Sequence, residues 1–276
     1  MADWTDFLPT LVRTPITVYQ NKNNINKWWK KLLVWSGKGQ TNVVVTGAAG
    51  SGKTVFTTSL HGEIKDHEWE YPATSTAVER NAITLGDWTK IFSVLPGQHI
   101  ADREVGLHEA FNTHNGLDGV VHIVDFGYTT SRSDVASSKL IEDGIDTVRK
   151  VRDYNLKNEL VEFRSICNLI ANASVNKRGP KWLIIAVNKA DLYLEELDEA
   201  KSYYHRDGKG PFVEEITSLL QRVGSNQLLL RTVPICPKPK PFEWNNQKIM
   251  PKLESFEEPT DYMKNFVAIV AEVSND

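Results

Sequence analysis

The chain has few of the features that mark secreted, metal-bound or membrane-spanning proteins. Its 276 residues include only two cysteines, Cys167 and Cys236, which lie far apart and in no metal-ligand spacing. The seven histidines show no such spacing either. No apolar run approaches the roughly 20 residues that a membrane-spanning helix needs, and the first residues do not resemble a signal peptide. These absences predict a soluble, cytoplasmic protein with reduced thiols.

The chain also lacks an excess of charge of either sign. Its 32 basic and 35 acidic residues give a formal net charge of -3, so no field of the whole protein attracts nucleic acid. DNA and RNA are therefore not expected as main partners. Hydrophobic residues make up 41% of the chain, which is enough for one large core in a single elaborated domain.

Short apolar runs that end at turn residues alternate with stretches of helical length. Such runs are typical of strands buried on both faces, as in a parallel sheet covered by helices, and the alternation predicts an α/β fold. The predicted strands are 42–46, 119–125, 182–188 and 228–235. The predicted helices are 54–65, 102–113, 159–172, 212–223 and 261–272.

Three segments are additions to this minimal pattern. Residues 1–40 precede the first strand, and residues 41–276 are predicted to form the main domain. Within it, the charged segment 131–157 is expected to be partly helical. The segment 237–259 is rich in proline and lysine and is expected to form a loop or a small hairpin.

Residues 25–35 predict an amphipathic helix before the first strand. Lysines occupy one side of it, and an apolar stripe at helical spacing occupies the other: Ile25, Trp28, Trp29, Leu32 and Leu33. Such a helix must bury its tryptophans somewhere. Packing against the main domain is one interpretation, and docking to a membrane surface or to a partner protein is the alternative.

A complete phosphate-binding loop follows the first predicted strand. Its eight residues fit the pattern G-x-x-x-x-G-K-[ST]: Gly47, Ala48, Ala49, Gly50, Ser51, Gly52, Lys53 and Thr54. In this pattern backbone N–H groups turn inward around the phosphates, and the next helix adds its positive N-terminus. Lys53 is expected to reach the β- and γ-phosphates, and the Thr54 hydroxyl to coordinate Mg²⁺.

The third predicted strand ends in the sequence N-K-x-D, formed by Asn188, Lys189 and Asp191. An aspartate in this place can accept hydrogen bonds from N1–H and the 2-amino group of guanine, and adenine offers no matching donors. The asparagine suits the other edge of guanine, and the lysine stem can lie over the base plane. The motif predicts GTP and GDP, rather than ATP, as ligands.

The sequence Cys-Pro-Lys follows the last predicted strand, where GTPases carry a Ser-Ala-Lys-like loop whose backbone contacts guanine. Cys236 and Lys238 are therefore candidate contacts for the base. The alternative for Cys236 is an ordinary small loop residue.

The segment 94–98, V-L-P-G-Q, resembles the D-x-x-G-Q element of Ras-like GTPases, with Val94 in place of the aspartate. In this departure the chain resembles bacterial polarity-switch GTPases of the MglA type. The segment 76–80 is similar to the T-x-x-x-R switch segment that precedes the second strand of that family. The resemblance covers residues 41–126 and 181–238, and the three added segments lie outside it.

This resemblance implies roles in hydrolysis for three residues. Gly97 would contact the γ-phosphate through its N–H, and Gln98 would orient the attacking water. Arg80 would supply the arginine that stabilises charge in the transition state. The alternatives are an exposed loop residue for Gln98 and a solvated charge at a strand end for Arg80.

The resemblance also implies Thr76 as a second Mg²⁺ ligand, with Thr74 as the competing candidate. Val94 removes a carboxylate that normally helps to hold the metal through water. Two interpretations stay open, namely weaker metal binding, or replacement of that carboxylate by Asp125 or another acid.

Together, these patterns predict a doubly wound P-loop GTPase of the Ras-like fold. It would hydrolyse GTP to GDP and phosphate with Mg²⁺, and act as a molecular switch read by protein regulators or effectors. A GTP-dependent docking module with little hydrolysis is the main alternative, and Gln98 favours the hydrolase. A P-loop kinase is disfavoured by the N-K-x-D motif.

Overall fold

The structure, a computed structural model, describes residues 40–60, 79–85, 88–94, 111, 117–131, 133–253 and 257–275. The amphipathic helix predicted at 25–35 lies outside these residues, and so does most of the helix predicted at 102–113. In the described parts, the alternation of strands and helices is confirmed.

Six strands form one sheet in the order β2-β3-β1-β4-β5-β6. All neighbouring pairs are parallel except β2 and β3, which form an antiparallel pair at one edge. The strands are β1 (Gln40–Gly47), β2 (Glu79–Leu85), β3 (Trp88–Val94), β4 (Gly119–Val124), β5 (Trp182–Val187) and β6 (Leu229–Pro234). The four predicted strands are thus confirmed as β1, β4, β5 and β6, and the edge pair was not predicted.

The structure gives the bounds of six α-helices in the described residues. They are α1 (Lys53–Leu60), α2 (Asp134–Glu142), α3 (Val148–Val175), α4 (Leu197–Tyr204), α5 (Pro211–Val223) and α6 (Glu257–Asn275). The helix predicted at 159–172 begins too late, because α3 starts at Val148. Thr147 caps it there, and its Oγ1 accepts from the N–H of Lys150 at 3.3 Å.

Helices cover both faces of the sheet, as expected for a doubly wound fold. Successive residues of β1 point to opposite faces, so Val44 joins one core while Val43 and Val45 join the other. The first core is completed by α3, α4 and α5, and the second by α1 and α6. This two-sided burial explains the continuous apolar runs of β1, β4 and β5.

Two of the three additions are described. The segment 131–157 contains α2 and the first turns of α3, so its expected helical character is confirmed. The segment 237–259 contains the small hairpin of β7 (Phe242–Trp244) and β8 (Gln247–Ile249). Its turn residues Asn245 and Asn246 have φ values of 44° and 63°, the left-handed pair of a two-residue hairpin turn.

The topology brings the phosphate loop and the N-K-x-D motif to one edge of the sheet. The first follows β1 and the second follows β5, and the carboxyl ends of these parallel strands meet at that edge. Strand order and loop positions together are those of the P-loop GTPase fold, so the predicted fold class is confirmed.

None of the described helices has the length and apolar character needed to cross a membrane.

Candidate nucleotide-binding site

The phosphate loop joins β1 to the N-terminus of α1, as the motif requires. Gly50 and Gly52 have φ values of 84° and 94°, a region that side-chain-bearing residues rarely adopt. A Cβ at Gly50 would collide with the Thr130 carbonyl, and one at Gly52 with the amide of Asn188. Both glycines are therefore required by close neighbours as well as by backbone conformation.

The side chain of Lys53 folds back over the loop. Its ammonium donates to the carbonyls of Gly47 and Ala48, both at 2.8 Å, and the residue is 8% exposed. The positive charge is therefore held in the hollow of the loop. The hydroxyl of Ser51 is also buried and has no hydrogen-bond partner in the described part of the chain. Phosphate oxygens fit a hollow with this charge and this unsatisfied hydroxyl.

Asn188 connects the N-K-x-D motif directly to the phosphate loop. Its Nδ2 donates to the carbonyl of Ser51 at 2.8 Å, and its Oδ1 accepts from the N–H of Lys189 at 2.7 Å. The two motifs lie 137 residues apart in sequence and share this buried contact. Asn188 therefore fixes the separation between the phosphate site and the base motif.

The side chain of Lys189 extends from the base motif toward the phosphate loop. Its backbone has a φ of 61°. Its ammonium forms an ion pair with Asp125 Oδ2 at 2.9 Å and donates to the carbonyl of Tyr128. It also lies 3.4 Å from the carbonyl of Gly50. These contacts of the ammonium hold the aliphatic part of the Lys189 side chain beside the phosphate loop.

The carboxylate of Asp191 is buried, with 1% of the residue exposed. The Cys236 thiol donates to its Oδ1 at 3.3 Å, and the N–H of Lys240 donates to its Oδ2 at 3.2 Å. Burial raises the pKa of Asp191, and burial together with Asp191 raises the pKa of Cys236 well above its usual value. The thiol therefore stays protonated and acts as a donor.

A cavity of about 280 Å³ lies between the two motifs. The phosphate loop contributes Gly50 and Gly52, and the base motif contributes Asn188 and Lys189. The lining is completed by residues from α1, from the segment after β4, from the start of the loop that follows the base motif, and from the Cys-Pro-Lys region: Val55, Thr130, Ser131, Leu192, Pro237, Lys238, Lys240, Pro241 and Phe242. Asp191 and Cys236 do not line it, because the segment 237–241 covers them.

Asp125 was a candidate to replace the missing carboxylate at Val94. It is completely buried, its Oδ1 accepts from the Thr129 hydroxyl at 2.7 Å, and its Oδ2 pairs with Lys189. Asp125 does not line the cavity, so it is not placed to bind a metal there. No cluster of three or more acidic, histidine or cysteine side chains suited to a metal occurs in the described residues.

The residues assigned to hydrolysis are only partly described. Thr74, Thr76, Gly97 and Gln98 lie outside the described residues. Arg80 is the second residue of β2 and pairs with Ser93 of β3, so it lies inside the strand rather than in the segment before it. Val94 ends β3 beside Val45 of β1, next to the strand that carries the phosphate loop.

No family model and no curated protein matches the chain. Several solved structures resemble its overall arrangement. The signal recognition particle receptor SRb in the SRb-GTP/SRX complex from Chaetomium thermophilum is 13% identical, with a TM-score of 0.43, and the match covers 74% of this chain and 94% of that chain. Toc33 from Arabidopsis thaliana in complex with GDP and Mg²⁺ is 13% identical, with a TM-score of 0.45 and coverage of 99% and 96%.

The small GTPase Arl6 BBS3 from Trypanosoma brucei with the bound analogue GppNp is also 13% identical. Its TM-score is 0.40, and the match covers 85% of this chain and 98% of that chain. No residue of the present chain takes a role from these likenesses.

Proposed function

We propose that the protein binds GTP and GDP at the cavity between the phosphate loop and the N-K-x-D motif. The observation that carries this proposal is the hydrogen bond from Asn188 to the carbonyl of Ser51, which ties a base-recognition motif to a phosphate-binding loop. A site for phosphates beside a site for guanine is what a guanine nucleotide requires. Because both motifs line one cavity, a guanine nucleotide fits the site better than a simple anion does.

Guanine would be recognised by Asp191. The Oδ2 of this residue accepts from the N–H of Lys240, and N1–H and the 2-amino group of guanine are donors of the same kind. When guanine binds, its two donors would replace the N–H of Lys240 at the Asp191 carboxylate. The segment 237–241, which covers the carboxylate, would have to move to admit the base. Cys236 keeps the other oxygen in place. Adenine lacks these donors and would leave the carboxylate unpaired.

The phosphates would lie in the loop on Lys53 and on backbone N–H groups, with Mg²⁺ bound by the Thr54 hydroxyl and by phosphate oxygens. The metal supplies neutralisation of the charge on the β- and γ-phosphates. Thr76, or Thr74, is the further ligand that we propose. The absence of a carboxylate at Val94 supports weaker metal binding than is usual for this fold.

The reaction that we propose is hydrolysis of GTP to GDP and phosphate, in a switch that protein regulators or effectors read. Gln98 would orient the attacking water and Arg80 would stabilise the transition state, as in the MglA-type GTPases that the segments 76–80 and 94–98 resemble. The second candidate is a GTP-dependent docking module with little hydrolysis. Val94 is compatible with either.

A single-turnover assay separates the two candidates. Protein loaded with γ-labelled GTP is followed for phosphate release, alone and with added Mg²⁺, and compared with the variants Gln98→Leu and Arg80→Ala. We expect each variant to lower the rate by about 10²-fold or more, with GTP affinity nearly intact, because these groups act in the transition state. If the wild type retains GTP without hydrolysing it, and both variants behave in the same way, the hydrolase is excluded and the docking module is the remaining candidate.

A further inference from the structure

The loop after β4, residues 126–130, has a backbone that its own residues do not favour. We call it the β4 loop. Phe126 has a φ of 51°, which is rare for a bulky residue, and Gly127 follows with a φ of 80°. A backbone of this kind persists only where its surroundings hold it, and such positions are common at ligand sites.

Three polar residues of α3 hold the β4 loop, and we call them the loop clamp: Arg152, Asn155 and Glu159. Their spacing of three and four residues places them on one face of the helix. The Nδ2 of Asn155 donates to the carbonyls of Gly127 and Thr129 at 2.9 and 3.2 Å. The Oε1 of Glu159 accepts from the N–H of Gly127 at 2.8 Å.

Arg152 covers the aromatic side chains of the loop. Its guanidinium lies 4.3 Å from the ring centre of Tyr128 and 4.9 Å from that of Phe126. A bidentate contact with Glu196, at 2.7 and 3.3 Å, keeps the guanidinium in this position. The two rings are therefore fixed between the helix and the rest of the domain.

The other side of the β4 loop forms part of the nucleotide cavity. The Tyr128 carbonyl accepts from the ammonium of Lys189, and the Thr130 hydroxyl lies 3.3 Å from the same ammonium. The Thr130 carbonyl packs against Gly50 so closely that a Cβ there would collide with it. A displacement of the loop would consequently move the base motif and the phosphate loop together.

A second route leads from the loop clamp to Lys189 through Asp125. Burial and the neighbouring Asp125 carboxylate raise the pKa of Glu159 well above its usual value, so its carboxyl group keeps a proton. Glu159 thus lies beside Asp125, and Asp125 pairs with Lys189 at 2.9 Å. Tyr204 donates to the remaining Oε2 of Glu159.

We propose that the loop clamp positions the Lys189 ammonium and the Thr130 side of the nucleotide cavity, and thereby sets how long the nucleotide stays bound. This inference rests on the proposed function. Asn155 and Glu159 are 8% and 2% exposed, in a core that is otherwise mostly apolar. Apolar side chains would pack there at least as well, but they could not hold the carbonyls and the N–H of the β4 loop.

The first experiment measures the dissociation rate of a fluorescent GDP from the 276-residue chain, with excess unlabelled GDP as the chase. Asn155→Leu nearly keeps the shape of the side chain and removes both donated hydrogen bonds. Because this leaves two carbonyls without their donor, circular dichroism and urea unfolding first establish that the variant is folded. We expect it to speed dissociation about fivefold or more. The matched control is Arg164→Ala on the same helix, which breaks a contact with Glu215 away from the β4 loop. We expect less than about a twofold change for this control.

Two further variants distinguish positioning from a general loss of stability. Glu159→Gln retains the acceptor for Gly127 and is uncharged beside Asp125, and its Nε2 can donate to the Tyr204 oxygen where Oε2 now accepts. It should therefore keep a dissociation rate close to that of the wild type, whereas Glu159→Ala should not. In a Lys189→Met background, Asn155→Leu should add little, because the group that the clamp positions has already been removed.

Each outcome decides the inference. Faster dissociation in Asn155→Leu and Glu159→Ala, recovery in Glu159→Gln and non-additivity with Lys189→Met support it. Unchanged rates in folded Asn155→Leu and Glu159→Ala proteins overturn the clamp and leave the proposed function standing, and so do effects fully additive with Lys189→Met. A wild type that binds no guanine nucleotide overturns both.

Discussion

The side-chain amide of Asn188 and the backbone carbonyl of Ser51 are joined by a 2.8 Å hydrogen bond in the buried centre of the nucleotide site. Because Asn188 follows β5 and Ser51 follows β1, this contact spans β4, which lies between those strands in the sheet. It joins the phosphate loop directly to the base motif.

Removing this contact should weaken nucleotide binding. For Asn188→Ala we expect a loss of GTP affinity of about tenfold, because a buried carbonyl without its donor costs roughly 1–3 kcal/mol. Titration calorimetry measures the change. Asn176→Ala is the control, since that amide makes only an exposed contact at the end of α3. Equal losses in both variants would count against a specific role for Asn188.

The ammonium of Lys53 should be indispensable for binding. Lys53→Ala removes the charge that the loop holds in its hollow, so we expect GTP binding to fall below detection in a fluorescence titration. Lys139→Ala, on the exposed helix α2, should leave affinity unchanged. An unaltered affinity in a folded Lys53→Ala protein would contradict the assignment of the phosphate loop.

The glycines of the phosphate loop can be tested against a glycine of similar backbone. Gly52→Ala should both strain the backbone and displace Asn188, whereas Gly144→Ala at φ 91° meets no atom within 4 Å. We expect Gly144→Ala to lower stability by only about 1 kcal/mol and to keep nucleotide affinity. Gly52→Ala should lose affinity by about tenfold or more. Urea unfolding and nucleotide titration report the two effects separately.

Glu159 should make stability depend on pH. Its pKa is raised in the folded protein by burial and by Asp125, with Tyr204 and Tyr203 as the other ionisable groups beside it. The folded state therefore retains a proton that the unfolded state loses, and stability falls as pH rises from the ordinary pKa of glutamate to the raised one. Relative to Glu159→Gln, the wild type should lose up to about 1.4 kcal/mol per pH unit in this window. Urea unfolding at a series of pH values measures the difference, and parallel curves for the two proteins would contradict it.

Much of the fold was predictable because β1, β4 and β5 contain continuous apolar runs between turn residues, and β6 is mostly apolar. The edge pair β2 and β3 was not, since its strands carry mixed polar and apolar residues without the continuous runs of the central strands. The early start of α3 was missed for a related reason. Its first two turns are rich in charge, and one of the residues that they bury is the polar Asn155 rather than an apolar side chain.

The two nucleotide motifs were predictable because each is a local pattern with a fixed chemical purpose. The contacts that join them were not predictable, because the partners of Lys189 come from the β4 loop and the phosphate loop, which only the folded topology brings together. The segment 237–241 covers Asp191 through the backbone N–H of Lys240. A backbone donor of this kind cannot be recognised from a sequence, because almost every residue has one.

Titration calorimetry with GTP, ATP and xanthosine triphosphate tests most directly whether this site binds guanine nucleotides. The wild type should bind GTP at least about 100-fold more tightly than ATP, because adenine leaves the Asp191 carboxylate unpaired. Asp191→Asn should weaken GTP by about tenfold or more and strengthen xanthosine triphosphate, whose 2-oxo group accepts a hydrogen bond. Equal affinities of the wild type for GTP and ATP, or an Asp191→Asn variant with unchanged base preference, would contradict the account.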